Sequence, residues 1–525
     1  MDATLPRLIQ QMLQPDFYPH PVQEPIQLLQ THISYIFLTG EYAYKVKKPT
    51  NFGFLDFTSL EKRRYFCHEE LRLNRRLSPD LYLAVLPIVE NAGKYHLGRE
   101  GAVQTVAEYA LKMRQFPQEM LLSHLFQDGR LTPEIVQQLA KQVAAFHTNA
   151  ITNPEVTAYG SIASVQQVDT NNQTISADFI GTSQTQSQLE ETRAFTTQFF
   201  EQHADCFVRR QTEAKIRECH GDLHLNNVCL FQDKIQIFDC IEFNQEFRNI
   251  DVIYDIAFLV MDLEFRGRID LANLLLNTYL EQTGDYWGAL LLPLYLCMRA
   301  YIRANVNSLT LNDPAIATFE KAIFLKRAQA YYRQAWDYTQ RTLGAKRSPS
   351  RLILMSGLSG SGKSTVARQI AQKLNAIHIR SDAVRKHLAG IPLDRHDATG
   401  GGSSSSIYTP EMTQKTYGAL LELGLLLVQQ GWPVILDAKY DRIALRQPVL
   451  NAANAAQIPI TIVECTAPTE VLRDRLNRRT NDIADATADL LNSQIAAAEP
   501  LTDAEKAIAV ILRTDQALKP QLDQI

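Results

Sequence analysis

Two stretches of this chain set chemistry-bearing residues at spacings that phosphate chemistry requires. The first, "GLSGSGKST" from Gly357 to Thr365, matches G-x-x-x-x-G-K-[ST] between an apolar run, "RLILMS", and a helical one. Glycines there let backbone N–H groups turn inward around phosphate oxygens at the positive end of a helix. In that arrangement Gly357, Ser359, Gly360, Ser361, Gly362 and Thr365 form the cradle. Lys363 brings a charge to the β- and γ-phosphates, and Ser364 offers a hydroxyl to Mg2+. The second stretch is "HGDLHLNNVCLFQDKIQIFDCIEF", beginning at His220. Asn227 follows Asp222 by five residues, and Asp239 ends the second of two predicted strands. One carboxylate can take the proton of an acceptor hydroxyl while an amide and a second carboxylate hold Mg2+ across phosphates. Both patterns point to ATP and Mg2+.

Such a loop needs partners, and the sequence offers them. "YAYKVKKP" supplies Lys45 and Lys47 on one strand face, with Lys47 slightly preferred as the phosphate lysine. Glu70 of "CHEELRLN" is chosen over Glu69 as its helix partner, and backbone groups of Glu108–Leu111 are placed as an adenine-binding hinge. No G-x-G-x-x-G loop is present; Gly40 stands alone in the matching turn. Around the P-loop, Asp382 of "RSDAVRKHL" ends a strand where ligands gather, so it can serve as a base, with Arg385 holding a substrate anion. Asp437 of "VILDAKY" suits a place beside Mg2+. Arg475 lies three and four residues before Arg478 and Arg479 on one helical face, where arginines can close over a transferring phosphate. Each feature has a plainer reading: a turn for Asp222, a helix cap for Asp382, a solvated basic face for the arginines.

"HGDLH" followed by Asn resembles the catalytic loop of the aminoglycoside phosphotransferase family, over about residues 30–300. The likeness implies Asp222 as catalytic base and Asn227 and Asp239 as Mg2+ ligands, with His220, Asp251 and Asp255 supporting the loop. Leu225-Asn226 replaces the family's usual Pro-Gly, and "FDCIEF" replaces its aspartate-plus-aromatic turn. "GLSGSGKST", "RSDAVRK", "VILDAKY" and "LRDRLNRR" resemble P-loop small-molecule kinases of the gluconate-kinase-like, chloramphenicol-phosphotransferase-like and zeta-toxin-like kinds, over about 350–525. That likeness implies Asp382 as general base and a lid carrying Arg475 and Arg478; Lys439 departs from it. The whole chain resembles bifunctional proteins that fuse the two folds. The expectation is an α+β, protein-kinase-like N-terminal domain followed by an α/β P-loop domain with a parallel sheet. Its function would be tandem ATP-dependent phosphotransfer to small-molecule acceptors. A regulatory pseudokinase half, or a P-loop half acting as an ATP-driven switch, stands as the alternative.

The elements that must position these residues are also predicted. "HISYIFLTGEYAYKVKK", "LYLAVLPIVE" and "AVQTVAEYALKM" read as strands and "SLEKRRYFCHEELRLNRRL" as a helix ended by Ser78-Pro79. Residues 165–190, poor in large apolar groups, read as a surface excursion between helices, and 250–340 as helical. "QRTLGAKRSPS" marks the domain junction, giving a kinase-like domain at 1–340, a linker at 341–350 and a P-loop domain at 351–525. Beyond it "RLILMS", "AIHIRS", "PVILDA" and "PITIVECT" alternate with helices, one capped by Thr409, and Gly400–Ser406 forms a loop. At 525 residues the chain exceeds one hydrophobic core. A formal charge of −4 leaves no basic footprint for nucleic acid. Seven scattered cysteines, none spaced C-x-x-C, argue against a disulfide frame or zinc site and for a reduced, cytoplasmic setting. Neither a signal peptide nor a bilayer-spanning run is apparent.

Overall fold

A computed structural model of the chain describes residues 5–53, 55–99, 105–313, 316–342, 350–395, 407–479 and 482–525. The predicted junction residues 343–349 and the Gly400–Ser406 loop lie outside them. The chain groups into two compact units, one of residues 1–132, 149–165 and 207–259, the other of 133–148, 166–206 and 260–525. The grouping does not divide at 341–350, because helices before that segment share the second unit with the P-loop sheet.

The first unit carries a six-stranded antiparallel sheet. Its strands are Gln27–Gln30 (β1), Ser34–Leu38 (β2), Tyr42–Lys47 (β3), Tyr82–Asn91 (β4), Lys94–Leu97 (β5) and Val106–Arg114 (β6), in the order β1-β2-β3-β6-β4-β5. The turn between β2 and β3 contains Gly40 at φ 101°, a backbone that glycine adopts without cost. Alternation along β3 decides its role: Tyr44 and Val46 enter a core with Phe37, Ile88 and Ala110, which leaves Lys45 and Lys47 together on the other face. The helix Leu60–Asn74 starts at Ser59, whose side chain accepts from the Lys62 amide, and buries Cys67, Glu70 and Leu73.

The hinge expectation is corrected here. Strand β6 is central, pairing with β3 through residues 110–114 and with β4 through 106–113. Glu108–Leu111 therefore sits inside the ladder, and the Glu108 carboxylate accepts from Arg63 at 2.8 Å. The chain leaves this sheet only after Arg114.

Four short strands complete the unit: Ile216–Glu218 (β7), Val228–Phe231 (β8), Lys234–Ile237 (β9) and Asn249–Asp251 (β10). The hairpin β8–β9 turns on Gln232 and Asp233, both at positive φ (51° and 59°), the two-residue geometry that matches strand twist. Its open end brings together Asn227, just before β8, and Asp239, just after β9; the Phe238 amide donates to the Asn227 carbonyl there at 2.9 Å.

In the second unit five parallel strands form the sheet expected: Leu352–Ser356 (β11), Ile377–Arg380 (β12), Val434–Asp437 (β13), Ile460–Thr466 (β14) and Ala509–Arg513 (β15), ordered β12-β13-β11-β14-β15. Strands β11 and β13 are buried throughout, which accounts for their unbroken apolar runs. Ile353, Val366, Ile370, Ile435, Val463 and Leu512 make the core under the P-loop helix Lys363–Leu374. Thr409 caps the helix Pro410–Gln429 as expected, accepting from the Met412 amide. Helices Leu292–Thr310 and Thr318–Thr342 fill the predicted helical tract. No helix among the described residues is long and apolar enough to cross a membrane.

Residues 165–190 are not an excursion. A helix, Ile162–Ala177, runs through them and a second begins at Gln186 with a capping box on Thr185. Its buried face is polar: the Gln173 amide donates to Asp169 at 2.6 Å and to Thr196 at 3.0 Å, and the Gln184 amide to the Ser176 carbonyl at 2.6 Å. Hydrogen bonds fill the place of the apolar stripe that periodicity searches for.

Candidate functional site

In the first unit the lysine–glutamate expectation resolves into a buried cluster. Lys45 Nζ lies 2.7 Å from Glu70 Oε1 and 2.9 Å from Asp239 Oδ1. Lys47 Nζ reaches the other Glu70 oxygen at 2.6 Å and pairs with Glu242. Lys45, not Lys47, is thus the lysine beside Asp239, which corrects the preference drawn from sequence; Lys47 is spent on Glu242. Glu69, the rejected alternative, pairs with Arg72. Burial pushes the Glu70 carboxyl up, but the two ammonium groups overcome it and bring it down to about 2. Asp239 itself sits at φ 62°, a strained backbone for a non-glycine residue.

The Asp222 loop is held from beneath by Asp255. One Asp255 oxygen accepts from the His220 amide at 3.0 Å and the other from the Gly221 amide at 2.9 Å. Gly221 is required: its φ is 88°, and a Cβ there would stand 2.6 Å from the Phe247 carbonyl oxygen. The His220 Nδ1 accepts from the Asp222 amide at 3.2 Å, so Nε2 carries the proton and donates to the Phe238 carbonyl at 2.9 Å. Burial lowers the pKa of that ring, against the pull of Asp255 and Asp222, in keeping with a neutral tautomer. The Asn227 amide donates to the Asp222 backbone carbonyl (2.9 Å) and to its Oδ2 (3.0 Å), and His224 Nε2 lies 3.3 Å from the same carboxylate. Asp251 acts elsewhere: it pairs with Arg210 at 2.6 Å and accepts from the Ile253 amide. Sequence reasoning missed His224 and Glu242, although both lie inside the stretches it quoted.

In the second unit the P-loop follows β11. Gly357, Gly360 and Gly362 all have positive φ. A Cβ on Gly357 would stand 2.4 Å from the Cys465 carbonyl, and one on Gly360 2.8 Å from that of Leu472. The loop is therefore a backbone cradle that side chains would fill. Lys363 donates to the Leu358 carbonyl at 2.8 Å; burial lowers its pKa and Asp437 partly opposes that. Ser361 turns its side chain into the protein and contributes through its backbone, its carbonyl accepting from Thr514. The Ser359 amide donates to Gln494 Oε1 at 3.1 Å, and Thr365 lies exposed in the first helical turn.

Asp437 ends β13 opposite Arg380 of β12, and His378 Nε2 reaches its Oδ2 at 2.9 Å. Burial raises this carboxyl, yet the His378 bond, the charges of His378 and Arg380 and the Ser364 hydroxyl bring it to about 2. An ionised carboxylate beside the Ser364 hydroxyl is the donor set a Mg2+ ion takes. Asp382 lies one residue into the helix Ser381–Leu388; burial raises its carboxyl, Arg380 opposes this and Asp437 adds to it. Arg385 is buried, donating to the Ile407 carbonyl at 3.1 Å and stacked 4.9 Å over Tyr408. Lys439 pairs with Asp441.

The lid arginines separate. Arg475 turns onto the P-loop, donating to Thr514 Oγ1 (2.8 Å), to the Thr514 carbonyl (2.7 Å) and to the Gly360 carbonyl (3.4 Å). Arg478 is 80% exposed and pairs only with Asp474 among the described residues, so it is withdrawn from the site. Arg479, beyond the helix end, lies 3.9 Å from Asp482 and within electrostatic reach of Lys363. The helix stops at Arg478, so Arg479 loses the i, i+4 relation to Arg475, while Arg478 stays in the last turn, exposed. The alternation His378-x-Arg380 on β12 was the unread signal for the groups around Asp437.

With this geometry stand the relationships to known proteins. Residues 62–293 match the phosphotransferase enzyme family and residues 352–501 an AAA domain. The chain joins a phosphotransferase-family domain to a P-loop domain. It is similar to uncharacterised proteins of Mycobacterium tuberculosis and Mycobacterium bovis, each 29% identical over 482 residues, 90% of either chain. Among solved structures it is similar to a choline/ethanolamine kinase family protein from Mesorhizobium loti (12% identity, 64% of this chain and 99% of that one, TM-score 0.37). A gluconokinase from Sinorhizobium meliloti is another (21%, 34% and 89%, TM-score 0.25). Both matched domains imply use of ATP.

Proposed function

We propose that the chain is a tandem phosphotransferase in which each domain passes the γ-phosphate of ATP to a hydroxyl of a small molecule. The observation that carries this reading is the pair of separately assembled carboxylate sites, Asp222 with Asn227 and Asp239 in one domain, Asp382 with Asp437 and Ser364 in the other. In the first domain Asp222 receives the acceptor proton, Lys45 orients a phosphate, and Asn227 and Asp239 would hold Mg2+. In the second, P-loop amides at the start of the helix Lys363–Leu374 and the Lys363 side chain hold the phosphates, Ser364 and Asp437 would hold Mg2+, and Asp382 receives the proton. Mg2+, when bound, neutralises charge on the phosphates. A carboxyl raised by burial, as Asp382 is, is a better proton acceptor near neutrality than an ordinary one.

The test is mass spectrometry of a metabolite extract incubated with ATP and wild-type protein, Asp222→Ala or Lys363→Ala. Two phosphorylated products are expected, each lost in one variant. A single product lost in both would remove the tandem reading. The lone glycine of the β2–β3 turn favours a second reading, in which the first domain binds without turning over. Under that reading only the Lys363-dependent product forms.

A further inference from the structure

We propose that the cavity beside the P-loop helix is the acceptor site of the P-loop domain and takes a small polyhydroxylated molecule bearing an anionic group. Helices that precede residue 293 build part of its wall. This rests on the phosphotransfer reading above and adds the location and chemistry of the acceptor.

The cavity measures about 290 Å3, the volume of on the order of ten waters, and so suits a molecule of about a dozen heavy atoms. Ser364, Arg368, His378 and Arg380 of the P-loop domain line it, with Lys141, Asn277 and Glu281 from the helices Pro133–Asn149 and Ile269–Thr283. The second helix belongs to the phosphotransferase-family match, yet it is built into the P-loop sheet. Strand β12 is an edge strand, and an edge leaves backbone groups unpaired. Asn273 and Asn277 amides donate to the Ala376 carbonyl at 3.0 and 2.9 Å, and the His378 amide donates to Asn277 Oδ1 at 2.7 Å. The end of the helix is pinned as well, since His387 Nε2 meets the Glu281 carbonyl at 2.8 Å.

The charges divide the cavity. At its inner end Arg380 is neutralised by Asp482 (2.6 Å) and Glu281 (3.3 Å), with Asp437 at 3.9 Å. That end adjoins Ser364 and Asp437, where the reacting hydroxyl belongs. Lys141 and Arg368 are exposed and have no ion pair among the described residues, leaving two cations for an anionic group. Gln137, Thr278 and Gln282 also line the cavity and can supply donors and acceptors for hydroxyls. In the transfer an acceptor hydroxyl oxygen bonds to the γ-phosphorus. The bond from that phosphorus to the β–γ bridging oxygen breaks to release ADP, and the proton passes to Asp382.

The experiment uses the full chain carrying Asp222→Ala, so that ADP release reports the P-loop domain. C4–C7 aldonates, uronates and polyol phosphates are compared with neutral polyols of equal length. We expect at least one anion, and no neutral polyol, to stimulate ADP release. Lys141→Ala and Arg368→Ala should each raise its KM about tenfold or more, with the KM for ATP moving less than about twofold. Both residues are exposed, so the variants should keep the parent's melting temperature. Stimulation by neutral polyols alone, a KM indifferent to both cations, or no stimulation while Lys363-dependent ATP turnover persists would overturn the assignment. Loss of Lys363-dependent ATP binding itself would instead remove the phosphotransfer reading on which it rests.

Discussion

In the phosphotransferase-family domain the groups that would face a nucleotide are side chains from separate elements: Lys45 on a strand, Glu70 on a helix, Asp222 on a loop and Asp239 after a hairpin. In the P-loop domain they are mostly backbone amides of one short contiguous loop, shaped by three glycines at positive φ. The first kind of site depends on long-range charge pairing, and losing one member leaves another charge buried. The second depends on local backbone geometry, and tolerates change only where a Cβ has room. Substitutions should therefore damage the two sites in different currencies, folding stability in one and phosphate binding in the other.

The largest effect on either activity should come from Asp222→Ala, lowering turnover of the first site about 10^2–10^4-fold while product formation at the second persists, as read by the two-product assay. Equal loss of both products would break the comparison. Glu70→Ala should sharpen it from the other side. The change strands Lys45 and Lys47 without their shared counter-charge, at a cost of about 3–5 kcal/mol in denaturant unfolding. Gly357→Ala should leave the first unit's chemistry intact but abolish Lys363-dependent turnover, because the Cβ collides with the Cys465 carbonyl.

A smaller effect concerns pH. Burial raises the Asp169 carboxyl to about 6, against Thr196 and Arg193. A carboxyl raised in the fold stabilises it fully below its unfolded pKa, near 4, and the contribution is lost as pH climbs to about 6. Stability of the second unit should fall by up to about 3 kcal/mol across that window and then level. Asp169→Asn should flatten the slope in unfolding curves taken from pH 4 to 7. The smallest effect belongs to Arg478→Ala, which should change turnover less than about twofold, whereas Arg475→Ala loosens the P-loop and raises the KM for ATP.

What could be read in advance follows the same division. The P-loop is a contiguous motif whose geometry is local, so Gly357 through Ser364 were legible residue by residue. Its sheet was legible because strands buried on both faces carry unbroken apolar runs. Asp222, Asn227 and Asp239 were legible as spacing, but the choice of Lys45 over Lys47 was not. Both point to one side of β3, and only the position of Asp239 and Glu242 across the fold separates them. The helix Ile162–Ala177 escaped notice because its buried face is amide and hydroxyl. The wall that Ile269–Thr283 gives to the P-loop cavity escaped because nothing local in "NLLLN" records which sheet edge its asparagines satisfy.

The central claim is that one polypeptide holds two independent nucleotide sites. Equilibrium binding of a non-hydrolysable ATP analogue with Mg2+ to the full chain tests it most directly. Two analogues per chain are expected, falling to one in Lys363→Ala. One per chain in the wild type, abolished by Lys363→Ala, would contradict it.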